Sequence, residues 1–112
     1  MKAADFRRLA LALPDVVEAD HHGFPSFRVA SKIFATLRDS EHAHVFVDAD
    51  EIERALDVAG DACAELWWGK KLCGLRIELA RADRRLVGHW LAAAWRARAP
   101  KKSLAKLERP AS

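Results

Sequence analysis

Three polar residues near the start of the chain have types and spacing that could do acid–base chemistry. Glu18, Asp20 and His22 alternate along a predicted strand, where every second side chain lies on the same face. A histidine beside two carboxylates can act as a general base. No nucleophile accompanies them, because Ser26 follows a Gly/Pro turn and lacks the Gly-x-Ser-x-Gly elbow. Charged residues commonly occupy the solvent face of a strand, so we interpret these three as a polar strand face and predict no enzymatic activity.

Two histidine pairs raise the question of a metal site. His42 and His44 are two residues apart and would share a strand face, a spacing that can bind metal, whereas His21 and His22 are adjacent and would point apart. A structural zinc site needs four ligands, and the sequence places no cysteine or carboxylate set beside either pair. We therefore predict no metal. The sequence also lacks Gly-x-x-x-x-Gly-Lys and Gly-x-Gly-x-x-Gly, so we predict no nucleotide cofactor.

Cations in three groups could contact nucleic-acid phosphates. They project from a predicted first hairpin, from the turn of a second hairpin and from the end of the last helix: Arg28, Lys32, Lys70, Lys71, Arg96, Arg98, Lys101 and Lys102. Trp67 and Trp68 precede the second turn and could offer faces for base stacking. If the three groups lie on one side, they form a basic surface that can contact DNA. Turn lysines also keep hairpins in solution, and paired tryptophans often anchor a core instead.

The length and the charge distribution favour one domain with a basic end. The chain has 112 residues, of which 51% are hydrophobic and 31% charged, values typical of a globular protein. Residues 1–95 carry 13 Lys/Arg and 15 Asp/Glu, a net of −2, whereas residues 96–112 carry 6 and 1, a net of +5. We predict a domain over residues 1–100 and a mobile basic tail over 101–112. A solvated tail and an arm that contacts a polyanion both fit that composition.

The sequence gives no sign of a membrane or export segment. No apolar run approaches the roughly 18 residues that cross a bilayer, and charge interrupts the apolar residues near the N-terminus. We therefore expect a cytoplasmic monomer or weak dimer with no membrane partner. In the predicted second hairpin, Cys63 would lie opposite about residue 76 and not opposite Cys73. A disulfide would then be strained, and we predict two buried free thiols.

Hydrophobic periodicity predicts three helices and six strands. The helices cover residues 3–13, about 52–59 after a cap at Asp48 or Asp50, and 83–99. The strands cover 16–20, 27–29, 32–37, 44–47, 63–68 and 72–79. A two-residue turn at 30–31 would place Phe27 opposite Phe34. The order α-β-β-β-β-α-β-β-α with short turns predicts an α+β two-layer sandwich, an antiparallel sheet with its helices on one face.

Several segments together resemble the MmcQ/YjbR family. They are GFPSFRV at 23–29, KIFATL at 32–37 and WRARAPKK at 95–102, with a Leu13-Pro14 helix end and Glu18 ahead of His22. The resemblance spans about residues 5–102 and keeps the order of elements. It implies a compact α/β fold with an antiparallel sheet, likened to the frataxin-like fold. It also implies DNA binding, without naming a contact residue.

The cations and the resemblance together favour a binding function. We expect salt-sensitive, largely sequence-independent binding of double-stranded DNA through the eight cations, with Trp67 and Trp68 as stacking candidates. The alternative is a protein-interaction or small-ligand module with no nucleic-acid role. Such a module would use the sheet face, the Trp67–Trp68 edge or a pocket near the last helix.

Overall fold

The computed structural model describes residues 1–108. The helices are α1 (Ala3–Leu11), α2 (Ala49–Ala59), α3 (Arg84–Arg96) and α4 (Lys101–Glu108), and a short 3-10 turn spans Leu79–Arg81. The strands are β1 (Val17–His21), β2 (Phe24–Val29), β3 (Lys32–Leu37), β4 (His42–Val45), β5 (Cys63–Trp68) and β6 (Lys71–Glu78). The predicted order of three helices and six strands is confirmed, and α4 follows it.

The strands form a single antiparallel sheet in the order β1-β2-β3-β4-β6-β5. Paired positions on one face of the central strands are all fully buried: Phe27, Ala35, Val45 and Leu75. The helices α1, α2 and α3 pack against the sheet on this face and close the core. The predicted two-layer α+β sandwich is therefore confirmed.

Aromatic side chains join the helices to the sheet and to the turn after α1. Phe6 packs edge-to-face against Phe27, with ring centroids 6.0 Å apart. Trp90 and Trp95 of α3 are buried, and the Trp95 Nε1–H donates a hydrogen bond of 3.0 Å to the carbonyl oxygen of Pro14. A buried indole N–H needs such a partner, because leaving it unpaired costs free energy. This bond fixes α3 against the residues that follow α1.

The β2–β3 hairpin has its turn at the predicted residues, but its strands pair in a different register. Ala30 and Ser31 form the two-residue turn, and both have positive φ angles, 50° and 67°. Such turns match the twist of paired strands. A β-bulge next to Phe27 then shifts the register, so Phe27 pairs with Ala35. The predicted pairing of Phe27 with Phe34 is therefore wrong, and Phe34 and Ala35 are both buried in the core.

The two cysteines are free, as predicted, and only one of them is buried. Cys63 lies opposite Ile77 in the β5–β6 pairing, which separates it from Cys73. Burial raises the pKa of the Cys63 thiol, and its Sγ lies 3.3 Å from the carbonyl oxygen of Ala59. Cys73 is half-buried, with its Sγ 3.4 Å from the carbonyl oxygen of Leu66.

Residues 101–108 differ from the predicted aperiodic tail because they form α4. The hydroxyl of Ser103 donates a hydrogen bond of 2.6 Å to Asp15, and the ammonium of Lys106 lies 2.7 Å from the same carboxylate. These contacts attach α4 to the turn after α1. The rest of the predicted tail, residues 109–112, lies outside the described residues. Within residues 1–108, no helix combines the length and the apolar composition needed to span a bilayer.

Candidate ligand-binding groove

A groove of about 1200 Å³ is lined by residues of the sheet and of two helices. Its walls come from β3, β4 and the β5–β6 hairpin, from the β1–β2 turn, and from α3 and the start of α2. We call it the sheet groove. Clefts of this size that combine aromatic walls with a few polar groups commonly hold ligands.

One end of the sheet groove, which we call the sheet end, is formed by Thr36, Arg38 and His44. Thr36 pairs with His44 across β3 and β4, and Arg38 follows Thr36 by two residues, so the three side chains share the face opposite Ala35 and Val45. Thr36 is 3% exposed, and its hydroxyl has no hydrogen-bond partner within the described residues. Buried polar atoms are normally paired, so this hydroxyl is unusual, and it belongs to a residue that lines the groove.

The surroundings of His44 keep its ring neutral. Burial lowers the pKa of His44 to about 4, and the guanidinium groups of Arg38 and Arg76 act in the same direction, against a smaller opposite effect of Asp39. Arg76 is the residue that pairs with His44 across β4 and β6. Neither guanidinium has an ion-pair partner among residues 1–108. The sheet end is therefore an electropositive region.

The opposite end of the groove, which we call the hairpin end, is formed by Trp67, Trp68, Lys71 and Arg96. The β5–β6 hairpin carries the first three, and Arg96 ends α3. Trp67 and Trp68 are 52% and 82% exposed, although large aromatic side chains are usually buried. Among the described residues, Lys71 and Arg96 form no ion pair. Exposed aromatic faces and unpaired cations thus line the same groove.

The carboxylates in the groove lining are already engaged. Asp48 caps α2 by accepting a hydrogen bond of 2.9 Å from the backbone N–H of Glu51. The carboxylate of Glu51 accepts a bond of 2.9 Å from Arg54 and lies 3.2 Å from the Nε2 of His89 on α3. These contacts offset the negative charge of the lining, so the unpaired cations dominate the field in the groove.

Gly74 sets the position of the β5–β6 hairpin against the end of β4. A Cβ at this position would lie 2.2 Å from the carbonyl oxygen of Val45 and 3.0 Å from the Cα of Phe46. Only a residue without a side chain permits this approach. The hairpin end therefore depends on a glycine in the middle of β6.

The YjbR family model matches residues 11–97, a range that includes the complete sheet, α2 and α3. The chain belongs to the YjbR family. This match confirms the resemblance inferred from the sequence. No curated protein and no solved structure gives a match to the chain.

This YjbR protein brings together only part of the predicted nucleic-acid set. Trp67, Trp68, Lys71 and Arg96 meet at the hairpin end. Arg98 also lines the groove, but its guanidinium donates hydrogen bonds of 2.9 and 3.1 Å to the carbonyl oxygens of Phe46 and Ala94. Burial lowers the pKa of Arg98. Its main role in the structure is to fasten the end of α3 to the segment after β4.

The other predicted cations lie outside the groove lining. The Nε–H of Arg28 donates a hydrogen bond of 3.0 Å to the hydroxyl of Ser26, and its Nη2–H donates one of 3.3 Å to the carbonyl oxygen of Asp20. Arg28 therefore ties β2 to β1. Four more are exposed and absent from the lining: Lys32, Lys70, Lys101 and Lys102. The three cation groups thus do not all converge on this groove.

The polar strand face predicted for Glu18, Asp20 and His22 does not extend over all three residues. Glu18 pairs with Arg7 of α1, and the Asp20 carboxylate accepts a backbone N–H in the β1–β2 turn. His22 lies in that turn with a φ of 54°, which ends the strand alternation before it. The rings of His21 and His22 are 4.4 Å apart, so the prediction that they point apart is wrong.

The second histidine pair is divided between two environments. The Nδ1 of His42 lies 3.1 Å from the Asp39 carboxylate, whereas His44 lines the sheet groove. In the part of the chain that is described, no three His, Cys, Asp or Glu side chains are grouped so that they could hold a metal ion.

The sequence reasoning missed the sheet end of the groove. The sequence indicates His44 only as a candidate metal ligand, and Thr36 and Arg38 only as parts of a strand and a turn. A signal was present, because alternation places Thr36 and Arg38 on one face and a short turn makes β3 and β4 neighbours. The pairing of β4 with β6, which adds Arg76, is not contained in any local pattern.

Proposed function

We propose that this YjbR protein binds double-stranded DNA in a salt-dependent and largely sequence-independent manner, with the hairpin end as its contact surface. We also propose that the protein is a cytoplasmic monomer or weak dimer without enzymatic activity. One observation carries the DNA-binding proposal: Lys71 and Arg96, from different elements, line the same groove as the exposed Trp67 and Trp68, and neither cation has an ion-pair partner in residues 1–108.

The unpaired cations support phosphate binding. A protein that neutralises DNA phosphates releases condensed counterions, and this release drives binding at low salt. Lys71 and Arg96 are exposed and free of competing carboxylates, so they can make such contacts without first breaking an ion pair. Lys70 adjoins Lys71 in the same turn and would add to the local positive potential.

The exposed indoles support an aromatic contribution, and the form of DNA decides how large it is. Base stacking on aromatic side chains needs unpaired bases, so Trp68 should matter for single strands more than for duplexes. On duplex DNA, the hairpin would approach the phosphate backbone and the indoles would lie at its surface. We therefore expect the cations to control duplex affinity and Trp68 to influence single-strand affinity.

A binding role accounts for the polar residues better than a catalytic role does. Glu18 is held by Arg7, and His22 stands in an exposed turn. His44 lies next to Thr36, and neither one has a carboxylate beside it in the β3–β4 pairing. A general base needs an orienting partner and a reacting group within hydrogen-bond reach.

The test is the salt dependence of affinity for a 20-base-pair duplex, measured by fluorescence anisotropy from about 50 to 200 mM salt. The wild type should lose about tenfold or more in affinity across this range. The Lys71→Ala/Arg96→Ala variant should bind more weakly, with a log–log slope shallower by roughly 2, since each lost phosphate contact removes about 0.9. The Arg81→Ala/Arg85→Ala variant loses the same charge in the 3-10 turn and the first turn of α3, outside the groove lining, and should keep the wild-type slope within about 0.5.

Three results would reject the proposal. They are the absence of duplex binding at about 50 mM salt, equal slopes for both double variants, and an affinity that does not change with salt. The first would favour the alternative of a protein partner that adds a strand beside β5, which is an edge strand of the sheet.

A further inference from the structure

The sheet end of the groove is bordered by a row of polar side chains, one of which has a hydroxyl without a hydrogen-bond partner within residues 1–108. Across three neighbouring strands, Thr36 pairs with His44 and His44 pairs with Arg76, and Arg38 stands two residues beyond Thr36. None of these side chains takes part in the hairpin end. We propose that this row is a binding site for a small organic anion, with its acidic head group at Thr36, His44 and Arg38 and its apolar body along the groove.

The hydroxyl of Thr36 is the strongest sign of a missing partner. Thr36 is only 3% exposed, and it lines the groove. Its hydroxyl oxygen makes no hydrogen bond within residues 1–108. Burying an unpaired hydroxyl costs free energy, and a ligand oxygen placed beside it would remove that cost. The neutral ring of His44, one strand away, can donate or accept a second bond.

Two guanidinium groups give the site its charge preference. The Arg38 guanidinium carbon lies 4.0 Å from the centroid of the Phe24 ring, a cation–π contact that fixes the side chain and leaves its N–H groups unpaired among the described residues. Arg76 lies outside the groove lining, but its positive charge acts on His44 from the neighbouring strand β6. The opposing carboxylate, Asp39, is already bonded to two backbone N–H groups and lies beside His42. An anion is therefore the charge that complements this end.

The groove beyond His44 has room for an apolar body. Following the strands toward the hairpin, the lining includes Ile33, Phe46, Leu66 and Leu72. A wall of apolar and aromatic side chains that ends in a few polar groups is typical of a small-molecule site. The inference does not depend on DNA binding, because it uses none of Lys71, Arg96, Trp67 or Trp68.

The probe is octanoate, compared with octan-1-ol and inorganic phosphate, by amide chemical-shift titration of the full chain. Octanoate should shift the amides of Thr36, Arg38 and His44 and bind at least about tenfold more tightly than either comparison compound, because only octanoate has both the charge and the apolar body. Equal affinity for octanol, an affinity for phosphate that matches octanoate, or shifts confined to the hairpin end would overturn the proposal.

Variants separate binding from folding. Thr36→Val keeps the shape and removes the hydroxyl, so it should weaken octanoate about fivefold or more while leaving the unliganded chain at least as stable as the wild type. Thr36→Ser should bind within about twofold of the wild type because it retains the hydroxyl. Arg38→Gln should weaken octanoate about tenfold, and the matched charge change Arg85→Gln should leave it unaltered. Equal binding by Arg38→Gln and Arg85→Gln would contradict the proposal.

The DNA-binding proposal and the anion-binding proposal can be rejected independently of each other. The Lys71→Ala/Arg96→Ala variant should bind octanoate like the wild type even if its DNA affinity falls. Loss of octanoate binding in this variant would place the anion at the hairpin end and overturn the assignment to Thr36 and Arg38.

Discussion

Gly74 and His44 are the two positions at which the groove depends most on a single residue. A Cβ at position 74 would lie only 3.0 Å from the Cα of Phe46, so a glycine is needed for β6 to approach this segment so closely. His44 is half-buried between two guanidinium groups and stays neutral. Both residues lie in strands that the sequence predicts well, yet neither has a local signal for these roles, because the close neighbours come from non-adjacent parts of the chain.

Replacing Gly74 by alanine should destabilise the fold by about 2–3 kcal/mol, since the added methyl group would overlap the backbone at Val45 and force β4 and β6 apart. Urea unfolding followed by tryptophan fluorescence measures this change. The control is Gly88→Ala in α3, where a Cβ meets nothing within 4 Å. It should stabilise the chain by about 0.5–1 kcal/mol, because alanine is the better helix former. A loss at Gly74 no larger than the change at Gly88 would contradict this interpretation.

His44 should make stability decline as the solution becomes acidic. Its pKa is about 4 in the folded chain against an ordinary 6.5, so the unfolded chain takes up the proton first. Protonation of His44 therefore leaves the free energy of unfolding unchanged above about pH 6.5. It lowers the free energy of unfolding as the pH falls from 6.5 to about 4. His44→Asn should flatten this decline in urea unfolding series between pH 7 and 4.5. His22→Asn, in an exposed turn, should leave the decline unchanged, and parallel curves for His44→Asn and the wild type would refute the assignment.

At the scale of elements, the turn after α1 holds two helices at once. Trp95 of α3 bonds to the carbonyl oxygen of Pro14, and Asp15 receives Ser103 and Lys106 of α4. Asp15 has a φ of 60°, a conformation that aspartate and asparagine adopt more readily than most residues. The polar contacts that attach α4 thus depend on one carboxylate that belongs to no helix or strand, in addition to the packing of Leu104 and Leu107 against the core.

Asp15→Asn should loosen α4 without disturbing the sheet. The ammonium of Lys106 and then the hydroxyl of Ser103 hold the pKa of Asp15 below 3.8, so this attachment is present above pH 3.8 and is lost as pH falls through the lowered value. Asparagine tolerates the same backbone but carries no charge. Hydrogen–deuterium exchange should show faster exchange of the α4 amides at neutral pH, with the amides of β3 and β4 unchanged. Asp57→Asn, exposed on α2, is the control, and identical α4 exchange in all three proteins would contradict the role of Asp15.

The elements that the sequence predicted are those with a clear hydrophobic period. The helices and strands of residues 3–96 follow such periods, and their order is confirmed. The bulge beside Phe27 was not predictable, because two phenylalanines seven residues apart fit a regular hairpin equally well. In α4 only Leu104 and Leu107 give a helical spacing, and charged neighbours hide it. Tertiary bonds to Asp15 supplement a weak local preference there.

At the scale of the whole molecule, the groove is a product of strand order. Because β6 pairs with β4 and β5 lies outside it, the β5–β6 hairpin extends past the end of β4 toward α3. Sequence patterns predict the strands and helices that form the walls of the groove, but not that these elements lie around one groove. The same order explains why the predicted basic surface is only partly assembled: Lys71 and Arg96 come together, whereas Arg28 is used within the sheet.

The four tryptophans allow the most direct measurement of where DNA binds. Trp67 and Trp68 are exposed at the hairpin end, whereas Trp90 and Trp95 are buried in the core. In a titration of the ¹⁵N-labelled protein with duplex DNA at about 50 mM salt, the indole N–H signals of Trp67 and Trp68 should shift and those of Trp90 and Trp95 should stay in place. The shifts should disappear when the salt is raised, because phosphate contacts weaken. Unchanged Trp67 and Trp68 signals in the presence of bound duplex would contradict the hairpin end as the DNA-binding surface.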